Sequence, residues 1–300
     1  MQVMVIGDIM LDIYMRGQIS RISPEAPVPV ILNAQKTYTA GGAANVAVNL
    51  ASMGLDVALY GIVGADTEGE VLNDILKQYN VRQFLITAQS LPTITKRRMI
   101  GNGHHIVRID TEESFHPFSE KLYVSVKKTE VPYVVLSDYN KGSLLSIENY
   151  ISKLQSQGTK VFVDPKREIS AYRGAWFVKP NRQEFIKYIG SFSTIQELIR
   201  KAQAALRTYD FQHMLVTLGG EGMLYVNAET SKYYPSVAQQ VTDITGAGDT
   251  VLAGLIYGLC KGYEINEAIL FSQRLAELSV TKSGTYVVTL DDIERIKSAV

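Results

Sequence analysis

The run Asp243-Ile244-Thr245-Gly246-Ala247-Gly248-Asp249 leads straight into the apolar stretch Thr250 to Cys260. Two glycines around one alanine permit a tight turn and leave the amides at a helix start uncovered, where the macrodipole favours an anion. Gly246, Ala247 and Gly248 therefore predict an amide nest for a phosphoryl group. Asp249 falls inside the first helical turn, so a carboxylate able to take a proton from a hydroxyl stands beside that nest. Gly and Asp are also common at helix starts for dipole matching alone. These seven residues by themselves leave both readings open.

Other segments carry chemistry of the same kind. Ala40-Gly41-Gly42-Ala43-Ala44-Asn45 precedes a helical stretch. Gly41 and Gly42 admit close approach of the backbone to a ligand, and Asn45 offers a donor and an acceptor to sugar hydroxyls; a glycine turn with small-residue packing is the plain alternative. The segment lacks G-x-G-x-x-G spacing and no βαβ strand immediately precedes it, so a dinucleotide site is not indicated. Asp8 and Asp12 follow the first aliphatic run, at the strand edge where open α/β sheets bind ligands, although Asp is also a common turn former. Asp164-Pro165-Lys166-Arg167 and Pro180-Asn181-Arg182-Gln183-Glu184 follow two later runs and open onto the same edge. Lys166 can reach a phosphate or a structural carboxylate there, and Glu184 reads alternatively as a solvent-facing helical residue. Thr217-Leu218-Gly219-Gly220-Glu221-Gly222 ends another run in a glycine turn, which a simple hairpin also explains.

Basic residues concentrate in Pro92-Thr93-Ile94-Thr95-Lys96-Arg97-Arg98 and at Arg108. A solvated strand face explains such a run, and a phosphate clamp explains it too. In an extended strand Lys96 and Arg98 share one face while Arg97 takes the other. There is no G-x-x-x-x-G-K-[ST] loop, and none of the four histidines forms a metal-spaced pair.

These groups need a scaffold. Aliphatic runs Val3–Ile6, Val57–Val63, Tyr133–Leu136, Lys160–Val163, Trp176–Val178 and His213–Thr217 show little alternation, the pattern of strands covered on both faces. Between them, Ala44–Met53, Glu70–Gln78, Ser146–Gln157, Ile195–Arg207 and Asn266–Ser279 have helical spacing, and Asp291–Val300 reads as a last helix. The expectation is an α/β fold, a mostly parallel sheet flanked by helices. Residues 12–38 and 91–110 break the rhythm and read as strands of a projecting β lid.

With 46% hydrophobic residues, 300 residues are enough for one large core, and one domain over residues 1–300 is expected. Thirty basic residues balance thirty acidic ones, so no global field points to nucleic acid or an anionic membrane. The one cysteine, Cys260, excludes an internal disulfide framework and fits a reducing cytoplasm. Met1–Ile6 stops at Gly7-Asp8 without a basic leader, and Val251–Cys260 falls far short of the roughly 20 residues of a membrane span.

The run at 243–249 resembles the D-T-x-G-A-G-D signature of the ribokinase (PfkB) carbohydrate kinases, with Ile244 in place of a usual Thr. Residues 40–45 resemble that family's N-terminal signature, and Asn181 with Glu184 its N-x-x-E motif. The resemblance implies a ribokinase-like fold, ATP as donor and Mg²⁺ organised through water by Glu184. It also implies nucleotide contacts from Asn181, Lys166, Thr217, Gly219, Gly222, Lys282 and Gly284, with the Lys282-Ser283-Gly284-Thr285 segment closing the adenine side. A monovalent cation, K⁺, beside Asp243 and Thr245 is a further implication.

Arg21-Ile22-Ser23-Pro24-Glu25-Ala26-Pro27-Val28-Pro29, together with the 92–98 and 108–110 strings, is similar to the family branch acting on D-glycero-β-D-manno-heptose 7-phosphate at its anomeric carbon, in lipopolysaccharide core synthesis. Asp8, Asp12, Arg21, Gly41, Gly42, Asn45, Lys96, Arg98 and Arg108 are then the expected substrate contacts. A homodimer through the lid accompanies this reading. Another sugar or phosphosugar kinase of the family, or a non-catalytic sugar-binding regulator on the same fold, are the alternatives.

Overall fold

Strands covered on both faces need apolar side chains at every position, and the unalternating runs of the sequence form such strands. The computed structural model describes residues 2–126, 131–236 and 240–298. In chain order its elements are β1 (Val3–Gly7), β2 (Ile9–Ile22), β3 (Pro29–Gly42), α1 (Ala43–Ser52), β4 (Val57–Gly64), α2 (Thr67–Gln78), β5 (Arg82–Ala88), β6 (Thr95–Gly101), β7 (His104–Thr111), α3 (Ser119–Ser125), β8 (Tyr133–Ser137), α4 (Ile147–Gln155), β9 (Lys160–Asp164), β10 (Phe177–Val178), α5 (Arg182–Tyr188), α6 (Ile195–Tyr209), β11 (His213–Thr217), β12 (Met223–Asn227), β13 (Ser231–Tyr234), α7 (Ala247–Cys260), α8 (Ile265–Ser279) and α9 (Leu290–Ser298).

One sheet has the order β13-β12-β11-β10-β9-β8-β1-β4-β5. Its strands from β5 to β11 are parallel, and β12 and β13 add an antiparallel edge. Apolar clusters fill both of its faces: Val5, Phe162 and Leu215 pack with α1 and α7 on one side, and Met4, Val134 and Val163 with α4 and α6 on the other. The chain turns in opposite directions from β1 toward β4 and β8, which opens a crevice at the carboxyl ends of β1 and β8.

The lid is a separate four-stranded sheet, β3-β2-β6-β7. Its β2 and β6 run parallel with Asp12 opposite Lys96 and Tyr14 opposite Arg98. Period-two alternation therefore puts these four side chains on one face. The lid segments expected at 12–38 and 91–110 coincide with these strands. The strand that precedes Gly41-Gly42, β3, is an antiparallel lid strand, so no βαβ unit leads into that turn. Two differences stand out. The edge strands β5 and β13 are partly exposed and lack the apolar run of a central strand. The last two residues of the expected helix 291–300 lie outside the described residues.

Asp8 is the joint between the sheets. It links β1 directly to β2, and its wholly buried carboxylate accepts the amides of Tyr139 (2.8 Å), Lys141 (3.0 Å) and Ser143 (3.1 Å). Its carbonyl accepts the Ala43 amide that opens α1 at 2.9 Å. Gly42 makes this possible, since its φ is +58° and a Cβ there would lie 2.4 Å from the Asp8 carbonyl oxygen. The expected sugar contact from Asp8 is thus corrected: its oxygens are spent on the loop after β8. Replacing Asp8 with Ala strands three buried donors and should cost about 3–5 kcal/mol. Thermal unfolding should show this as a fall of many degrees; a normal melting temperature with a raised KM for sugar would return Asp8 to the ligand site.

Candidate active site

Gly246 begins α7 with φ near +80°, a conformation that costs glycine little, and turns the chain so that the helix N-terminus faces the crevice. The Ala247 amide is spent on the Ile244 carbonyl at 3.2 Å. Among the described residues the amides of Gly248 and Asp249 have no protein acceptor, which leaves two donors for an anion at the positive end of the dipole.

Asp249 is buried in this first turn, with 5% of its surface exposed. Asn45 donates to its Oδ2 from α1 at 2.7 Å, and the Tyr139 hydroxyl donates to its Oδ1 from the loop after β8 at 3.1 Å. Burial, reinforced by the nearby charge of Asp164, pushes the Asp249 carboxyl up to about 6, against the opposing pull of Asn45, Lys179 and Tyr139. A carboxyl with that value is a competent proton acceptor near neutral pH.

Asp249 forms part of the wall of two cavities. The larger, of about 590 Å³, is bordered by Lys166, Lys179, Asn181, the Thr217–Gly222 turn, the nest and the apolar side chains of Val241, Ile244, Ala276 and Val280. The smaller, of about 180 Å³, is bordered by Asp12, Gly42, Asn45, Lys96, Arg98 and Thr285. Tyr139, Gly246 and Asp249 border both. Such an arrangement holds a phosphoryl donor on one side of a base and an acceptor on the other.

Several expected residues meet here. Gly246, Ala247, Gly248, Asn181, Lys166, Thr217, Gly219 and Gly222 border the large cavity, and Asp12, Gly42, Lys96 and Arg98 the small one. Gly41 abuts the latter, since a Cβ there would come 2.8 Å from Asp12 Oδ2. The Thr217–Gly222 turn is both things the sequence allowed, a hairpin between β11 and β12 and part of the cavity wall. Arg97 points away from Lys96 and Arg98, donating to Glu68 at 2.7 Å.

Other placements correct the expectations. Arg21 is exposed near the far end of β2, roughly 30 Å along the strand from Asp12. Arg108 faces the same way as Arg98, its cross-strand partner, but is exposed, pairs with Asp110 at 2.9 Å and lies outside the cavity wall. Asn45 is committed within the protein, because its Oδ1 accepts from Asn49 (2.9 Å) while its Nδ2 holds Asp249. Arg98 is paired with Asp12 at 2.5 Å, both nearly buried. Lys282 and Gly284 border neither cavity: the Gly284 amide ties Asp243 at 2.9 Å, and the neighbouring Thr285 reaches Tyr14 and Asp12. The 282–285 segment therefore braces the small cavity instead of closing the large one. Ile244, where the family signature usually has Thr, is 73% exposed and adds apolar wall at the mouth of the large cavity.

Glu184 is held twice, pairing with Lys166 and accepting the Asn181 amide at 2.8 Å in a capping box that starts α5. Burial opposes charge on Lys166, but Asp164 and Glu184 outweigh it and raise its pKa. Burial likewise opposes the charge of Asp243, yet hydrogen bonds from the Thr245 hydroxyl and amide and the Gly284 amide hold it below the usual carboxylate range.

Two residues at the site were not singled out in the sequence. Lys179, paired with Asp164 at 3.1 Å, sits by the nest, where a Cβ on Gly248 would be 3.3 Å from its ammonium. Tyr139 is the other. Both directly follow the carboxyl ends of parallel strands, the rule that singled out Lys166, so the signal was there.

The sequence matches the description pfkB family carbohydrate kinase over residues 1–292. The chain belongs to the pfkB family of carbohydrate kinases. This ATP-dependent sugar kinase is 39% identical over 302 residues to the Bifunctional protein HldE of Shewanella sediminis, covering 99% of this chain and 63% of that protein. Against the Bifunctional protein HldE of Vibrio parahaemolyticus it is 38% identical over 297 residues, 97% of this chain and 62% of that one. The kinase thus spans a little under two thirds of the length of these relatives. Among solved structures, phosphofructokinase-2 from Escherichia coli in complex with potassium superposes with a TM-score of 0.80 at 20% identity, covering 99% of this chain and 98% of that one. Ribokinase from Thermotoga maritima gives 0.77 at 20%, with 99% of each chain covered. At that identity the likeness establishes the ribokinase-like fold. No described helix of the kinase is long and apolar enough to cross a membrane.

If Asp249 is the base, only its ionised form works, so kcat/KM should fall about tenfold per unit as pH drops below roughly 6 and level off above it. Asn45 lowers the Asp249 pKa, so Asn45→Ala should move that limb to higher pH. A profile flat down to pH 5 in the wild type would remove Asp249 from the role.

Proposed function

We propose that this kinase transfers the γ-phosphoryl group of ATP to the anomeric hydroxyl of D-glycero-β-D-manno-heptose 7-phosphate, giving the 1,7-bisphosphate for lipopolysaccharide core precursors. The observation that carries the transfer is the position of Asp249 in the shared wall of two cavities of unequal size. The heptose assignment rests on the resemblance of residues 21–29, 92–98 and 108–110 to that branch of the family, and the lysine in the small cavity supports a phosphorylated acceptor.

The larger cavity suits ATP. Val241, Ile244, Ala276 and Val280 offer apolar surface for a flat base, while Lys166, Lys179 and the free amides of Gly248 and Asp249 supply positive charge for phosphates. Among the described residues no cluster of three or more His, Cys, Asp or Glu is placed to hold a metal ion. That donor set fits Mg²⁺ carried on the nucleotide phosphates with its waters, with Asp164 in the cavity wall and Glu184 behind it, paired with Lys166. Bound there, Mg²⁺ would neutralise the negative charge of the phosphates during transfer. A monovalent cation at the backbone of Asp243 and Thr245 belongs to the same reading, and equal rates in potassium and in a bulky organic cation would remove it.

In the smaller cavity Asp12 accepts sugar hydroxyls, its charge balanced by Arg98. Lys96 makes no ion pair among the described residues and leans over the Tyr139 ring at 5.4 Å, with burial pulling its pKa below the ordinary lysine range. A phosphorylated acceptor restores an anion to it. As the acceptor oxygen bonds to the γ-phosphorus, its proton passes to Asp249 and the bond to ADP breaks. Lid-to-lid pairing of two copies through β7, where Ile106, Val107 and Ile109 are exposed, is the oligomer this reading favours.

Transfer from ATP assayed over heptose 7-phosphate, fructose 6-phosphate, ribose and adenosine tests the substrate class, with heptose 7-phosphate expected to give the largest kcat/KM by a wide margin. Asp249→Asn should bind ATP and sugar yet lose roughly 10²-fold to 10⁴-fold in turnover. Lys96→Ala should weaken phosphorylated sugar about 10-fold to 150-fold while ATP binding changes little. Equal losses for phosphorylated and unphosphorylated sugars would mean that Lys96 serves the lid alone.

A further inference from the structure

Tyr139 touches more of the site than any step above assigns to it. Its amide is fixed on Asp8 at 2.8 Å, its hydroxyl donates to Asp249 at 3.1 Å, and its ring borders both cavities. One ammonium approaches that ring from each side of the site: Lys96 of the small cavity at 5.4 Å and Lys166 of the large one at 5.5 Å. The anchoring segment is tight, with Asn140 at φ +57° and Gly142 at φ +95° directly after it. The backbone that carries the ring is therefore fixed at both its amide and the residues after it.

We propose that Tyr139 is a positioning and partitioning residue of the transfer: its hydroxyl aims the Asp249 carboxylate, and its ring closes the donor cavity against water that enters through the acceptor cavity. This rests on the reading of Asp249 as the base. With Oδ2 held by Asn45 and Oδ1 by Tyr139, the carboxylate cannot turn, and its remaining lone pairs face the space between the cavities. Each ammonium gains from the electron-rich ring. Without the ring the two cavities join beside the base. A water molecule in the acceptor position can then attack the γ-phosphorus, passing its proton to Asp249 as the bond to ADP breaks, which is hydrolysis of ATP in place of sugar phosphorylation.

Two substitutions separate the hydroxyl from the ring. Tyr139→Phe keeps the wall and loses the hydrogen bond, so kcat should fall roughly 10-fold with little change in sugar KM. The acid limb of kcat/KM should move to higher pH, because the hydroxyl helps hold Asp249 ionised. The charges of Asp164, Lys166 and Lys179 from the ends of β9 and β10, and Lys96 from β6, remain in place in that variant. Sugar-independent ATP hydrolysis uses the same base and should not rise above the wild-type level. Tyr139→Leu lacks the hydroxyl too, so it is compared with Tyr139→Phe, and its hydrolysis should be roughly 10-fold faster than in that variant, since the ring is what further distinguishes them. Thermal unfolding of both variants, expected near wild type because the Asp8 contact is to the backbone, separates these effects from misfolding.

Unchanged kcat and pH limb in Tyr139→Phe, in an enzyme that Asp249→Asn abolishes, would overturn the positioning role while leaving the base intact. ATP hydrolysis no faster in a folded Tyr139→Leu enzyme than in Tyr139→Phe would overturn the partition. An active Asp249→Asn enzyme would overturn the underlying reading instead.

Discussion

A carboxylate taken almost entirely out of water must be met by donors placed for it, and Asp249 sets that requirement at the centre of this fold. Four separate pieces of chain answer it. The turn at Gly246 delivers it at a helix N-terminus, α1 brings Asn45, the loop after β8 brings Tyr139, and Lys179 approaches from the end of β10. None can shift independently, because Asn45 is also gripped by Asn49, whose Oδ1 accepts the Val288 amide at 3.0 Å. The compensation is incomplete: burial outweighs these donors, so Asp249 is a weaker acid than a solvated carboxyl, and its ionised form a stronger proton acceptor.

The lid meets the same physics. Asp12 and Arg98 are nearly buried together, and the parallel register of β2 with β6 makes that pairing possible at every other residue. Thr285 and Tyr14 close the polar contacts, so the acceptor side is bound to the end of the chain as well as to its beginning. Asp8 joins this assembly to the main sheet through backbone amides. A residue that sequence logic places in the sugar site thus spends its carboxylate on joining the lid to the main sheet.

Charge at the large cavity is arranged in pairs. Lys179 with Asp164 and Lys166 with Glu184 leave ammonium groups facing the cavity while neutralising them against the protein. An incoming polyphosphate then meets positive charge that needs little reorganisation, the condition under which electrostatic stabilisation is strongest. The Asn181 capping box holds Glu184 in place, so one short helix start fixes a lysine one strand earlier in the chain.

How much of this was legible in the sequence follows from range. The amide nest, the glycines at particular φ-positive turns and the apolar runs of the central strands are dictated by a few adjacent residues, and each was readable at Gly246, Gly42 or Val3–Ile6. So was the alternation that sets Lys96 and Arg98 on one face and Arg97 on the other, because a strand's period is local. Partners were not. That Asp8 spends its oxygens on residues 139–143, that Asn45 faces Asp249 across 204 positions, and that Gly284 braces Asp243 while Arg21 sits at a distant lid tip depend on how the two sheets pack. A residue's type limits which hydrogen bonds and charges it can offer; only the tertiary structure decides which of them are already consumed within the protein and which remain for a ligand.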